Sequence, residues 1–223
     1  MKDIADGVKY SYPKFYNLTY QLALVIRKLG QESRKDGISA KKQIFILKVQ
    51  RNIASRGAII DNVIPVDNTP DPSKVFRLNV QLKWEVARDL LHKGNNIDKP
   101  CGVEPGISFA NSVKTRLGVI SLVPCAKGGS SIEEWEKGDK HYENMIKRVK
   151  VIVKVGGVGG EIKALLWHQE ESDTSNLNDK ENYNGRLEKL VQNVQTNLNM
   201  PSLPILQVIT ESADGPSKDE VIK

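Results

Sequence analysis

Apolar residues along this chain gather in short blocks, and the spacing inside each block predicts an element. Phe15, Tyr16, Thr19, Leu22, Ile26 and Leu29 recur at roughly helical steps, which predicts an amphipathic helix within 12–29. A polar break, GQESRKDGISAKK, covers 30–42. QIFILKV at 43–49 is a run of branched and aromatic residues and reads as a buried parallel strand. Residues 61–75 carry Pro65, Pro70 and Pro72 and read as a loop, and WEVARDLLH at 84–92 reads as a short helix.

A second set of elements follows. Pro105 suits the first turn of a helix running to Leu117, with Phe109, Val113 and Leu117 at four-residue steps. GVISLVP at 118–124 is the next strand. AKGGSS at 126–131 leads to a helix around 139–150. GGVGG at 156–160 reads as a flexible connection before the strand KALLWHQ at 163–169. Tyr183, Leu187, Leu190, Val191, Val194 and Leu198 line one face of a helix over 179–199, the strongest periodic signal in the chain. PILQVI at 204–209 is a fourth strand, and 210–223 is a polar tail. Strands alternating with helices predict a three-layer α/β/α sandwich around a parallel sheet. In such sheets chemistry sits at the carboxyl ends of the strands, which directs attention to 48–57, 124–131, 168–173 and 210 onward.

Composition narrows the class. The chain has 223 residues, 39% of them hydrophobic and 27% charged, which excludes collagen-like and wholly disordered proteins. No run approaches the roughly 18 apolar residues of a membrane span, and the acidic, polar start lacks a signal sequence, so a cytoplasmic chain is expected. The net charge of +6 is concentrated in 27–51, which holds eight bases against Glu32 and Asp36. Neither zinc-finger spacing nor an RNP-like aromatic motif accompanies those bases, so nucleic acid is not the expected partner and the segment reads as a solvated linker. Cys101 and Cys125 read as buried thiols.

Six ordered blocks carry a resemblance. They are QIFIL from Gln43, LKWE at Leu82–Glu85, CGVEPGISFANSVK at Cys101–Lys114, LVPCAKGGSSIEEWEKG at Leu122–Gly138, GGEIKALLWHQEESD at Gly159–Asp173, and LPILQV at Leu203–Val208. Together these blocks, from Gln43 to about Gln207, resemble the plant carbohydrate esterases of the sialic-acid O-acetylesterase-like branch of the SGNH hydrolases. The resemblance implies the flavodoxin-like α/β/α fold, an O-acetylated carbohydrate as substrate, and no cofactor. It also implies a mechanism. A serine in a Gly-Gln-Ser-Asn-Met motif after the first strand attacks an acetyl ester. A histidine from an Asp-x-x-His motif near the C-terminus takes its proton. Backbone amides and one side-chain amide hold the oxyanion. A hydroxyl needs such a base to become a nucleophile, and each oxyanion donor is worth about 2.7–4 kcal/mol.

Carried over by position, that motif falls on Val49, Gln50, Arg51, Asn52 and Ile53. Gln50 and Asn52 match. Arg51 stands at the nucleophile position, and a guanidinium has no hydroxyl or thiol to acylate. The oxyanion block keeps Gly128 and Gly129. The third block keeps Trp167, Gln169, Glu171, Ser172 and Asp173, with Glu170 where the family has glycine. No Asp-x-x-His follows the fourth strand, so the catalytic Asp and His and the C-terminal part of the domain are expected to be missing. The chain then divides into an unmatched extension (1–42), the esterase-like domain (43–209) and the tail (210–223).

Other residues offer little rescue. His92 reads as a surface residue, His141 as a solvated first-turn residue, and His168 as a packing residue at a strand end. Ser130 and Ser131 read as caps of a helix leading to Trp135, with Glu133 and Glu134 in its first turn. Ser55 lacks a recognisable base. Glu85, Glu104, Glu170 and Glu171 lack histidines at metal-ligand spacing, so no metal site is expected. Trp84, Trp135 and Trp167 read as core or rim residues, although Trp135 and Trp167 leave a sugar-facing surface open. The expectation is a carbohydrate esterase family member with impaired catalysis. The alternatives are a non-catalytic sugar-binding protein, an interaction module built on the basic segment, or the product of a pseudogene or faulty gene model.

Overall fold

The computed structural model describes residues 42–49, 69–88, 91–92, 105–125, 127, 130–154, 160–168 and 177–208. The apolar run at 43–49 forms β1 (Lys42–Val49), the central strand of the sheet. Ile44 and Ile46 face one layer while Phe45 and Leu47 face the other, so β1 is buried on both sides, as a run without polar alternation requires. The other strands are β2 (Val75–Leu78), β3 (Trp84–Val86), β4 (Ile120–Pro124), β5 (Gly160–His168) and β6 (Ile205–Val208). Their order across the sheet is β3-β2-β4-β1-β5-β6. All neighbours run parallel except β2 and β3. A register shift between Ile44 and Phe45 in the β1–β5 ladder lets Ile162 and Leu165 share one face of β5.

Among the described residues, three helices cover the two faces: α1 (Pro105–Leu117), α2 (Lys140–Lys154) and α3 (Leu177–Leu198). Helix α1 buries Ile107, Phe109, Ala110, Val113 and Leu117 against Phe45, Leu47 and Leu122. The Phe45 and Phe109 rings meet edge to face at 4.9 Å. Gly106 suits this contact, because a Cβ there would lie 2.7 Å from Leu91 Cδ1 and 2.8 Å from Leu47 Cδ1, and those side chains would have to shift. On the opposite face, Tyr142, Met145, Ile146 and Val149 of α2 join Leu190, Val194 and Leu198 of α3.

The helix ends follow local chemistry. Gly118 takes φ +82° after α1 and its N–H donates to Lys114 O, an αL cap. Helix α3 closes in a Schellman arrangement. Asn199 takes φ 55° and donates to Thr196 O, Met200 donates to Gln195 O, and Pro201 prevents continuation.

The expected α/β sandwich is present, with three corrections. The helix expected at 84–92 is replaced at its start by strand β3, whose Glu85 stands opposite Arg77 of β2. Arg77 Nε donates to Glu85 Oε1 at 2.8 Å and Asn79 Nδ2 donates to Oε2 at 3.0 Å, a cross-strand network that a helix would break. The loop expected to run through Val75 ends there, because VFRL adds to the sheet beside β4. The sheet is therefore not wholly parallel. The expected helix at 12–29 and the tail at 210–223 lie outside the described residues.

Candidate functional site

Strand β1 lies between β4 and β5, and the chain reaches β4 and β5 on opposite sides of it, so their carboxyl ends form a topological switch point. Leu47 stands opposite Pro124, and Val49 opposite His168. Cys125 N donates to Leu47 O at 2.8 Å, carrying the β1–β4 ladder one residue past β4. The register thus brings together the three points from which the chain enters 50–53, 126–131 and 169–173. Gln50, Arg51, Asn52, Gly128, Gly129, Gln169, Glu170 and Glu171 themselves lie outside the described residues, as do Ser55, Cys101 and Glu104.

Beneath these strand ends lies a buried aromatic cluster around a cation. Lys48 is fully buried, and its Nζ sits 4.2 Å from the Trp167 ring centroid and 5.0 Å from that of Trp135. The two indoles meet edge to face at 5.8 Å. Trp167 Nε1 donates to Tyr183 OH at 3.3 Å, joining β5 to α3. Trp135 closes a 3₁₀ turn, Glu133–Trp135, and its Nε1 donates to Ser130 Oγ at 2.9 Å. The exposures of Trp135 and Trp167, 1% and 0%, make them core residues. Among the described residues, neither ring presents a face to solvent where a sugar could stack. Lys48 was not among the expected site residues. Its signal was a single charged residue inside an otherwise apolar strand run.

The remaining candidates settle as follows. His92, expected at the surface, is fully buried, because residues 91–92 pack under α1 rather than closing an exposed helix. His141 is partly buried rather than solvated. Its ring lies against Trp135 at 5.5 Å, and Nε2 is 3.9 Å from Glu134 Oε1. Burial, the first cause, and the nearby Lys127 and Lys140 hold its imidazole below the usual value, while Glu134 and Asp139 oppose them. His168 occupies the last position of β5.

Ser130 and Ser131 do not supply the expected side-chain cap. The residue before the 3₁₀ turn is Ile132, without a side-chain capping bond. Ser130 Oγ instead accepts from Trp135 and donates to Lys127 O at 3.1 Å. Ser131 N–H donates to Glu134 Oε2 at 2.8 Å, so this carboxylate satisfies a backbone donor just ahead of the turn. Cys125 is buried as expected. Burial pushes its thiol up to about 12, against an opposing effect from Arg148. Glu85 is held below the usual carboxylate range by hydrogen bonds from Asn79 and Arg77. Trp84 is half-buried, with Lys42 Nζ 5.4 Å from its ring centroid. Among the described residues, no group of three or more His, Cys, Asp or Glu could hold a metal, and no helix is long and apolar enough to cross a membrane.

Comparison with known proteins agrees with this architecture. A family model described as carbohydrate esterase, sialic acid-specific acetylesterase, matches residues 41–223. A probable carbohydrate esterase of Arabidopsis thaliana is 44% identical over 187 residues, spanning 78% of this chain and 70% of that protein. The X-ray structure of an Arabidopsis thaliana protein superimposes with a TM-score of 0.71 at 45% identity, covering 78% of this chain and 76% of that one. A parallel central strand flanked by the two matched strand ends, together with these likenesses, identifies the chain as a member of the sialic acid-specific acetylesterase family of carbohydrate esterases.

Proposed function

We propose that this family member takes an O-acetylated carbohydrate at the carboxyl ends of β1, β4 and β5 and has lost, or nearly lost, the ability to cleave it. The observation that carries the reading is Arg51. It follows β1 at the position where the family motif has its nucleophilic serine, between the retained Gln50 and Asn52. An acyl-enzyme needs an oxygen, sulfur or amine that a base can deprotonate, and a guanidinium stays protonated at any physiological pH. Glu170 adds a second defect, because it sets a carboxylate beside Gln169, the residue implied to hold the oxyanion. A negative charge there opposes the negative charge that develops in the transition state. Ser130 and Cys125, near the same strand end, offer no substitute. Ser130 is engaged by Trp135 and Lys127, and Cys125 is buried with its thiol pushed up to about 12.

The substrate class comes from the family, and the loss of cleavage comes from this chain's own residues. The purified protein is expected to turn over neither p-nitrophenyl acetate nor acetylated xylan above background. Calorimetry is expected to register an acetylated xylo-oligosaccharide in preference to its deacetylated form. Turnover that disappears on Gln169→Ala would overturn the reading, because it would show a working oxyanion site served by another nucleophile.

A further inference from the structure

A lysine with no exposed surface needs a reason. Transferring an ammonium out of water is costly, and a methionine or leucine would fill the same volume without that cost. Lys48 is fully buried, and the groups around its ammonium include the faces of Trp135 and Trp167. Those two rings belong to different segments. Trp135 lies in the 3₁₀ turn that ends the chain's passage out of β4, and Trp167 is the penultimate residue of β5. Lys48 itself is the penultimate residue of β1. One cation therefore joins β1, the end of β5 and the turn that follows the segment leaving β4.

The indole N–H groups are engaged elsewhere, with Ser130 Oγ and Tyr183 OH, so each ring is held at its edge by a hydrogen bond and on its face by the cation. A contact with an aliphatic side chain would tolerate sliding or tilting of either ring. A cation over a ring face has a preferred position set by the ring's negative centre.

We propose that Lys48 is the positioning residue of the strand-end site, a caged cation that clamps the exits of β4 and β5 to β1. The proposal relies on the preceding reading for what the site binds, but the clamp itself is tested without a ligand. Lys48→Met and Lys48→Arg are compared with the unaltered full chain by thermal unfolding, by hydrogen exchange and by binding of the acetylated xylo-oligosaccharide.

Lys48→Met removes the cation and leaves its partners in place, so it is expected to melt below the unaltered protein, and the exchange pattern shows where the loss is felt. Peptides containing Trp135 and Trp167 should exchange about tenfold faster, while the α1 peptide changes by less than about twofold. Lys48→Arg, which keeps a cation over the rings, should restore slow exchange. A purely space-filling lysine would give no such rescue.

Unchanged exchange around both tryptophans in Lys48→Met, or equal acceleration in α1, would overturn the clamp. Should Lys48→Met fail to fold, Trp167→Phe carries the test, because phenylalanine packs but binds the cation more weakly. The same local acceleration is expected there, and its absence overturns the proposal. In the binding arm, loss of the oligosaccharide in Lys48→Met and its return in Lys48→Arg supports the clamp, and a Lys48→Met protein that binds as the unaltered protein does counts against it. An unaltered protein that binds no oligosaccharide sinks the functional reading, and the exchange data then decide the clamp alone.

Discussion

Trp135 donates its indole N–H to Ser130 Oγ at 2.9 Å, and both residues are buried. The Ser130 hydroxyl in turn donates to Lys127 O. A serine that follows a glycine pair at a strand end resembles a nucleophile on paper, but this one props the ring that the Lys48 cation rests on. Ser130→Ala is expected to leave the buried indole N–H unsatisfied at a cost of about 1–3 kcal/mol. For a chain of this size, that lowers the melting temperature by about 2–4 °C per kcal/mol. Calorimetry on the variant measures the loss, and an unchanged melting temperature would contradict the strut.

Cys125 should be chemically silent in the folded protein. Burial pushes its thiol up to about 12, so the thiolate that reacts with alkylating reagents is scarce at neutral pH. Iodoacetamide near pH 8 is expected to leave the Cys125 peptide unmodified in the native state and to label it after denaturation. Mass spectrometry of that peptide reads the result, and native labelling would show the site to be open.

Trp135 and Trp167 are core residues, so their truncation should act through stability. Trp167→Ala and Trp135→Ala each remove a large buried side chain at an expected cost of about 3–5 kcal/mol. Urea unfolding should show the loss, and any defect in carbohydrate binding should follow the fraction folded. A variant of normal stability that fails to bind would return these rings to the sugar site.

His141 predicts a pH dependence of determinate sign. Its folded-state pKa lies below the usual 6.5, chiefly through burial. The unfolded chain therefore binds the proton more readily, and the stabilisation is complete above about pH 6.5 and is lost as the pH falls toward the lowered folded value. Urea midpoints should fall between about pH 7 and about pH 5.5, and His141→Phe should flatten that slope. An equal slope in the variant would assign the effect to other groups.

Much of the framework was legible in local pattern. The run QIFILKV is apolar on both faces and became the central strand. The four-residue steps of Phe109, Val113 and Leu117 marked α1, and the stripe from Tyr183 to Leu198 marked α3. The order of strands and helices then implied a sheet with its site at one end. The β2–β3 hairpin was not legible, because four- and three-residue strands carry too few positions to show a period. What holds them is the pairing of Arg77 with Glu85 and the reach of Arg148 Nη2 to Leu78 O, at 2.8 Å from a helix 70 residues away.

By itself the amino-acid order determined the elements with strong periodicity and the ordered motif blocks by which the chain resembles its family. These depend on neighbours within a few turns, where spacing and backbone preference act directly. Only the tertiary structure decided that His92 is buried, that Ser130 supports a ring rather than capping a helix, and that Trp135 and Trp167 enclose Lys48 instead of facing a sugar. Each of those outcomes depends on a partner brought from a distant part of the chain. Burial and the pairing of polar groups are properties of that assembled neighbourhood, and the identity of a single residue does not carry them.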